Sequence, residues 1–202
     1  MSLLIGLDGE MSDSEIDKGA VLIQIGICDD YGNTFESLIG HDPGWYKTEQ
    51  ASLVHNIPDE DIIAAPRPEE VDRRLRRWLE ARLSEAGARH EHTGIRPFIP
   101  VGWNVGGFDM PFVRATLPES CGLISRRSLD LNALCFAFEE ARVTYHGERK
   151  SFDGWKKLAI EYAGKQFVDA RWHNALFDAQ AAREAYNFLT SSFRFNDYSP
   201  QL

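Results

Sequence analysis

Two rhythms of apolar and polar positions divide this chain. The N-terminal run Leu3-Leu4-Ile5-Gly6-Leu7 is continuously apolar and ends on Asp8-Gly9-Glu10, which predicts a buried strand. Ser12 to Gly19 is polar and predicts a loop. Ala20 to Cys28 is a second apolar run, Asp29-Asp30-Tyr31-Gly32-Asn33 is turn-forming, and Thr34 to Ile39 reads as a third strand. Together they predict an antiparallel meander that begins with the acid-bearing strand.

Beyond it the period lengthens. His41 to Asn56 carries Pro, Gly and scattered aromatics and predicts irregular structure, with a short helical piece near Asp59 to Ala64. Pro68 opens a helix with Glu69 and Glu70 in its first turn and Val71, Leu75, Trp78, Leu79 and Leu83 at helical spacing, and Gly87 is its expected end. Its Arg73, Arg74, Arg76 and Arg77 read as a solvated outer face, with phosphate contact as the alternative. Ala88 to Arg96 is a polar link containing His90-Glu91-His92, read as surface loop because no further ligand follows at metal-site spacing.

Pro97 to Val101 is a short strand, Gly102 to Gly107 a turn, and a helix starts at Phe108 with Asp109 near its beginning. Ser125 to Leu129 is a candidate strand, and Asp130 caps a helix to about Glu140. Arg142 to Lys150 reads as a loop, Ser151 caps a helix to Ala163 stopped by Gly164, and Asn174 to Thr190 forms the last helix. A meander followed by strands alternating with helices implies an α/β fold: a mixed sheet flanked by helices, in one domain over 1–190 with a polar tail over 191–202.

Composition narrows the class. At 202 residues, 43% hydrophobic and 26% charged, the chain has the make-up of one soluble domain. No segment approaches the roughly 20 apolar residues of a membrane span, and no signal-peptide pattern opens the chain, so the expectation is a cytoplasmic protein without a membrane partner. Cys28, Cys121 and Cys135 show no metal or disulfide spacing and are expected in the core. A net charge of −9 excludes a broad basic grip on long nucleic acid, though not a grip on one strand end through bound cations.

The candidate chemistry lies in the acids. Asp8 and Glu10 are two positions apart on a strand, hence on one face, with about 6.6 Å between their Cα atoms at roughly 3.3 Å per residue. Like charges at the mouth of an apolar strand raise each other's proton affinity, and a hard divalent cation such as Mg²⁺ or Mn²⁺ relieves the conflict. The alternative is that they end the strand at the surface.

Asp178 falls within the apolar stripe of the last helix, formed by Phe177, Ala181, Ala185, Phe188 and Leu189, at about 100° per residue. A carboxylate there needs either a cation or an arginine partner. Asp109, at a strand-to-helix junction, belongs either to a site or to a helix cap. His173, five residues before Asp178, would point about 140° away on a continuous helix and so must precede the helix to share its site. Otherwise it is an ordinary packed or surface histidine beside Trp172.

Three segments in order carry a resemblance: Gly6-Leu7-Asp8-Gly9-Glu10-Met11, followed by Leu22-Ile23-Gln24-Ile25-Gly26 on the next strand; Asn104-Val105-Gly106-Gly107-Phe108-Asp109; and His173-Asn174-Ala175-Leu176-Phe177-Asp178-Ala179. They resemble the DEDDh branch of the DnaQ-like 3′→5′ exonucleases, of the ribonuclease H-like fold, over nearly the whole chain. Val54-His55-Asn56-Ile57 and the helix from Pro68 are similar to the family's intervening segment. Gln24 stands where many members carry Glu, Trp103 precedes Asn104 where His is usual, and Met11 replaces a frequent Thr, as in oligoribonuclease.

The resemblance implies a metal-dependent 3′→5′ exonuclease that releases 5′-mononucleotides from single-stranded DNA or RNA ends. Asp8, Glu10, Asp109 and Asp178 would hold two Mg²⁺ or Mn²⁺ ions, and His173 would be the general base, an imidazole being suited to proton transfer near neutral pH. Gly9, Met11, Asn104 and Phe108 would contact the substrate end, with Phe108 and Phe112 either stacking a base or packing in the core. Competing expectations are an oligoribonuclease-like enzyme restricted to short RNA and a catalytically silent nucleic-acid-binding domain. A homodimer is a further possible assembly.

Overall fold

The computed structural model describes residues 3–86, 97–167 and 173–191. Its spine is β1 (Leu3–Met11), which pairs antiparallel with β2 (Leu22–Asp29), itself antiparallel to β3 (Thr34–Leu38). On its other edge β1 runs parallel to β4 (Phe98–Gly102), and β4 to the two-residue β5 (Leu129–Asp130). The order β3-β2-β1-β4-β5 joins a meander to parallel strands, as the hydrophobic pattern predicts. Successive residues Leu22 to Cys28 of β2 are all buried, because helices cover both faces of the sheet.

On one face lie α3 (Pro68–Glu85) and α4 (Asp109–Thr116), whose Val71, Leu75, Leu79, Met110 and Val113 pack on Ile5, Leu7 and Met11 of β1. On the other lies a second core shared by α5 (Leu131–Glu140), α6 (Phe152–Lys165) and α7 (Ala175–Ser191), built on Val101, Leu131, Trp155, Phe177, Ala181 and Phe188. The two faces of β1 are therefore divided by parity. Odd positions fill the first core, and even positions, Gly6, Asp8 and Glu10, look toward the α7 side.

Two glycines set how closely α7 approaches. A Cβ at Gly26, the cross-strand partner of Asp8, would lie 2.2 Å from backbone atoms of Ala175 and Leu176, and one at Gly6 would lie 2.3 Å from the carbonyl oxygen of Ala179. Only bare backbone on the sheet, facing alanines on the helix, lets the two touch at that distance.

Several expectations are corrected. Glu49–His55, within a stretch expected to be irregular, forms α1, because the Thr48 hydroxyl accepts from the Ala51 N–H and Asn56 closes the helix in a left-handed conformation. It is followed by α2 at Asp59–Ala64, as expected. The expected loop over 142–150 contains a hairpin, β6 (Thr144–Tyr145) and β7 (Glu148–Arg149), turning on His146 and Gly147, both at positive φ. Ser125 to Ser128 is not strand; Ile124 makes a single bridge to Phe98, and Leu129 and Asp130 pair with the end of β4.

Gly164 does not stop α6, which runs to Lys165, and α7 extends through Ser191, one residue past the expected end of that helix at Thr190. Gly87, His90-Glu91-His92, Trp172 and the tail after Ser191 lie outside the described residues. Asp130 caps α5 as expected, accepting from the Asn132 N–H at 2.8 Å, and the three cysteines are buried free thiols. The arginine run of α3 is exposed, with Arg76 paired to Glu80. No helix among the described residues is long and apolar enough to cross a membrane.

Candidate active site

Each acid reaches the site by a different structural route. Asp8 and Glu10 sit at the end of β1, beyond Gly6, where β4 ceases to pair with it. The Gly9 N–H is thus left without a ladder partner on that edge, and it donates to Oδ1 of Asp109 at 3.0 Å. That bond answers the question left open for Asp109. The N-cap position of α4 is Phe108, and Asp109 ties α4 to β1, with only 3% of its surface exposed.

Asp178 comes from the first turn of α7. Its Oδ2 accepts the N–H of His173 at 2.9 Å, while its Oδ1 is buried without a hydrogen-bond partner. His173 lies just outside the helix, at φ 67°, so the chain doubles back and the 140° offset of a continuous helix does not arise. One ligand atom each from Glu10, His173 and Asp178 lie within 4.8 Å of one another.

The electrostatics join the remaining acids to this group. Burial, then the charges of Asp109, Asp178 and Glu10, hold the Asp8 carboxyl well above the usual carboxylate range. Burial, then Asp178 and Asp109, push Glu10 up to about 7. Asp109 is also pushed up to about 7 by burial, against the lowering effect of the Gly9 N–H, and Asp178 is raised by burial as well. Among the described residues no lysine or arginine is ion-paired with any of the four. The arginine partner that would have explained Asp178 structurally is not found there.

These residues fit a hard divalent cation. The donors are carboxylate oxygens, one of them is orphaned and buried, and the cluster holds more negative charge than its burial tolerates without protons or a metal. An imidazole alongside can act as a ligand or as a base.

Beside Glu10 opens a cleft of about 310 Å³ lined by Gly9, Met11, Val54, His55 and Phe108. Of the four expected substrate contacts, the structure brings Gly9, Met11 and Phe108 to this cleft. Phe108 is half-buried at its wall, 5.8 Å from the ring of the buried Phe112, so Phe112 belongs to the core. Asn104 is not among the cleft's walls. At φ 57° it shapes the turn before α4, its carbonyl accepting from Gly107 and Phe108 and its N–H donating to Asp130.

No family model matches the sequence, and no curated protein matches it either. Solved structures do match. E. coli exonuclease I in complex with a dA16 oligonucleotide superposes with a TM-score of 0.64 at 13% identity, over 96% of this chain and 42% of that one. The chain has the same ribonuclease H-like fold as that structure. Exonuclease I from Methylocaldum szegediense gives a TM-score of 0.63 at 13% identity over 97% of this chain and 42% of the other, and cell-death related nuclease 4 gives 0.60 at 15% over 95% and 64%. This chain therefore spans less than half the length of the exonuclease I structures that share its fold.

Sequence reasoning missed three residues that support the site: Gln24, Glu36 and Asn174. In the sequence Gln24 stands out only as a departure from a family pattern. Its signal was available, since a glutamine inside an apolar strand must find partners for both ends of its amide.

Proposed function

We propose that this protein is a metal-dependent exonuclease that hydrolyses the terminal phosphodiester at the 3′ end of single-stranded DNA or RNA and releases 5′-mononucleotides. The observation that carries the reading is the buried, unpartnered Oδ1 of Asp178 inside a four-carboxylate cluster on an exonuclease fold. The solved exonuclease I complexes contain single-stranded oligonucleotides, which supports a strand end as the partner.

When bound by Asp8, Glu10, Asp109 and Asp178, a pair of Mg²⁺ or Mn²⁺ ions supplies the positive charge that offsets the phosphate and lowers the pKa of water. The chain's own residues do the rest. His173, tethered through its N–H to Asp178, accepts the proton of the attacking water at a ring nitrogen. The new oxygen–phosphorus bond forms as the bond to the neighbouring 3′ oxygen breaks, so the terminal nucleotide leaves with its 5′ phosphate. Gly9 offers bare backbone to the terminal sugar, and Met11 and Phe108 offer an apolar wall to its base. A cytoplasmic setting is part of the same proposal.

The net charge of −9 favours short substrates, so restriction to short RNA oligonucleotides is the second reading. Labelled single-stranded DNA, duplex DNA and short RNA, each with and without Mg²⁺ or Mn²⁺, separate the two. Mononucleotide release from single strands of either kind supports the first, and release from short RNA alone supports the second. Binding without hydrolysis of any substrate would leave a catalytically silent domain.

A further inference from the structure

Resting on the hydrolytic reading of the acid cluster, we propose that Gln24, Glu36 and Asn174 form a positioning clamp. The clamp sets the first turn of α7, and with it His173 and Asp178, over the acids of β1.

Gln24 is the cross-strand partner of Glu10 and is 7% exposed. Its Oε1 accepts the N–H of Ala175 at 3.2 Å, and its Nε2 donates to Oε1 of Glu36 on β3 at 3.0 Å. The same Glu36 oxygen accepts from Nδ2 of Asn174 at 2.9 Å, and Oδ1 of Asn174 accepts the N–H of Phe177 at 3.0 Å. The opening amides of α7 would otherwise be orphaned, as at every helix start. Here two of them are satisfied by a chain of side chains that begins on the strand beside Glu10. A third amide, that of His173, goes to Asp178 itself. The catalytic imidazole and the fourth acid are thus hung from β2 and β3 rather than from packing alone.

The clamp has a polarity. A carboxamide at position 24 both accepts and donates, which lets it join a helix amide to a carboxylate, whereas a carboxylate there only accepts and would confront Glu36. Reversing the pair restores the match, since a carboxamide at position 36 can donate to a carboxylate at 24 and still accept from Asn174.

The test uses Gln24→Glu, Glu36→Ala, and the reversed pair Gln24→Glu with Glu36→Gln. It reads amide hydrogen exchange in the metal-free protein, Mn²⁺ affinity, and kcat and KM on a single-stranded oligonucleotide. Gln24→Glu is expected to speed exchange at His173, Ala175 and Phe177 by about tenfold or more, with a similar fall in kcat and in Mn²⁺ affinity and KM within about twofold. The reversed pair is expected to recover to within roughly threefold of the parent. Glu36 is exposed, so Glu36→Ala keeps the test open if Gln24→Glu does not fold, and it is expected to act in the same direction.

Unchanged exchange in both Gln24→Glu and Glu36→Ala would overturn the clamp, as would a reversed pair worse than Gln24→Glu alone. An exchange response in a protein that hydrolyses no nucleic acid would support the clamp and overturn only the nuclease reading.

Discussion

The N–H of Gly9 donates to Oδ1 of Asp109 at 3.0 Å across a separation of 100 residues, so the strand bearing two acids and the helix bearing the third are joined by one bond inside the site. Asp109 therefore has two separable duties, holding the backbone and supplying charge. Asp109→Asn keeps an acceptor and loses the charge, so its thermal melting midpoint should stay near the parent's. Its turnover should fall by more than about 100-fold, beyond what losing a merely supporting partner costs. Asp109→Ala also strands the Gly9 N–H, a further loss of roughly 1–3 kcal/mol in denaturant titration.

Gly26 permits the contact that brings Asp178 to Asp8. In Gly26→Ala the added methyl meets the backbone of Ala175 and Leu176, which cannot rotate away. Destabilisation on the order of 1–3 kcal/mol or more is expected, together with weaker Mn²⁺ binding, because the helix must lift off the sheet. Melting and Mn²⁺ titration of the same variant check both halves.

Much of this arrangement was readable in the chain. The apolar runs placed β1, β2 and β3, and Asp130, Ser151 and Pro68 announced the helices they begin. The order of the acids drew attention to Asp8, Glu10, Asp109 and Asp178, whose charges act on one another in the folded chain. What escaped was what depends on partners distant in sequence or on short local signals. The helix Glu49–His55 buries only His55, so it has no apolar stripe to betray it, and the hairpin at Thr144–Arg149 is two residues per strand. Gly164 lies inside α6 because a single glycine lowers helix propensity without ending a packed helix. The closeness of Gly6 and Gly26 to α7 exists only once the helix is docked.

Protons and metal compete for the acid cluster, and the direction follows from the shifts. Glu10 rises from an ordinary 4.5 to about 7 in the folded chain, and Asp109 rises from 3.8 to about 7. Between those values the native state holds protons that the unfolded chain has released, so stability falls with rising pH. The metal-free protein should lose stability as the pH rises from 3.8 through about 7, with Asp8, also raised, acting in the same direction. Added Mg²⁺ or Mn²⁺ should raise the melting midpoint most on the alkaline side of that window. Melting with chelator and with metal across this range is the check, and a chelated protein that gains stability toward pH 8 would refute it.

His173 is expected to serve the chemistry more than the binding. Its ring can be removed without touching the N–H that Asp178 accepts. His173→Ala should lower kcat by about 10²–10⁴-fold, while KM and Mn²⁺ affinity move little. Steady-state kinetics across pH, with Mn²⁺ titration alongside, read both effects.

If Asp8, Glu10, Asp109 and Asp178 form one cation site, Mn²⁺ titration followed by electron paramagnetic resonance will register it. Two ions should bind per chain at neutral pH, with binding displaced by Mg²⁺ and lost in Asp8→Asn although that variant stays folded. A parent protein that binds no Mn²⁺, or an Asp8→Asn variant that binds it as the parent does, would contradict the account.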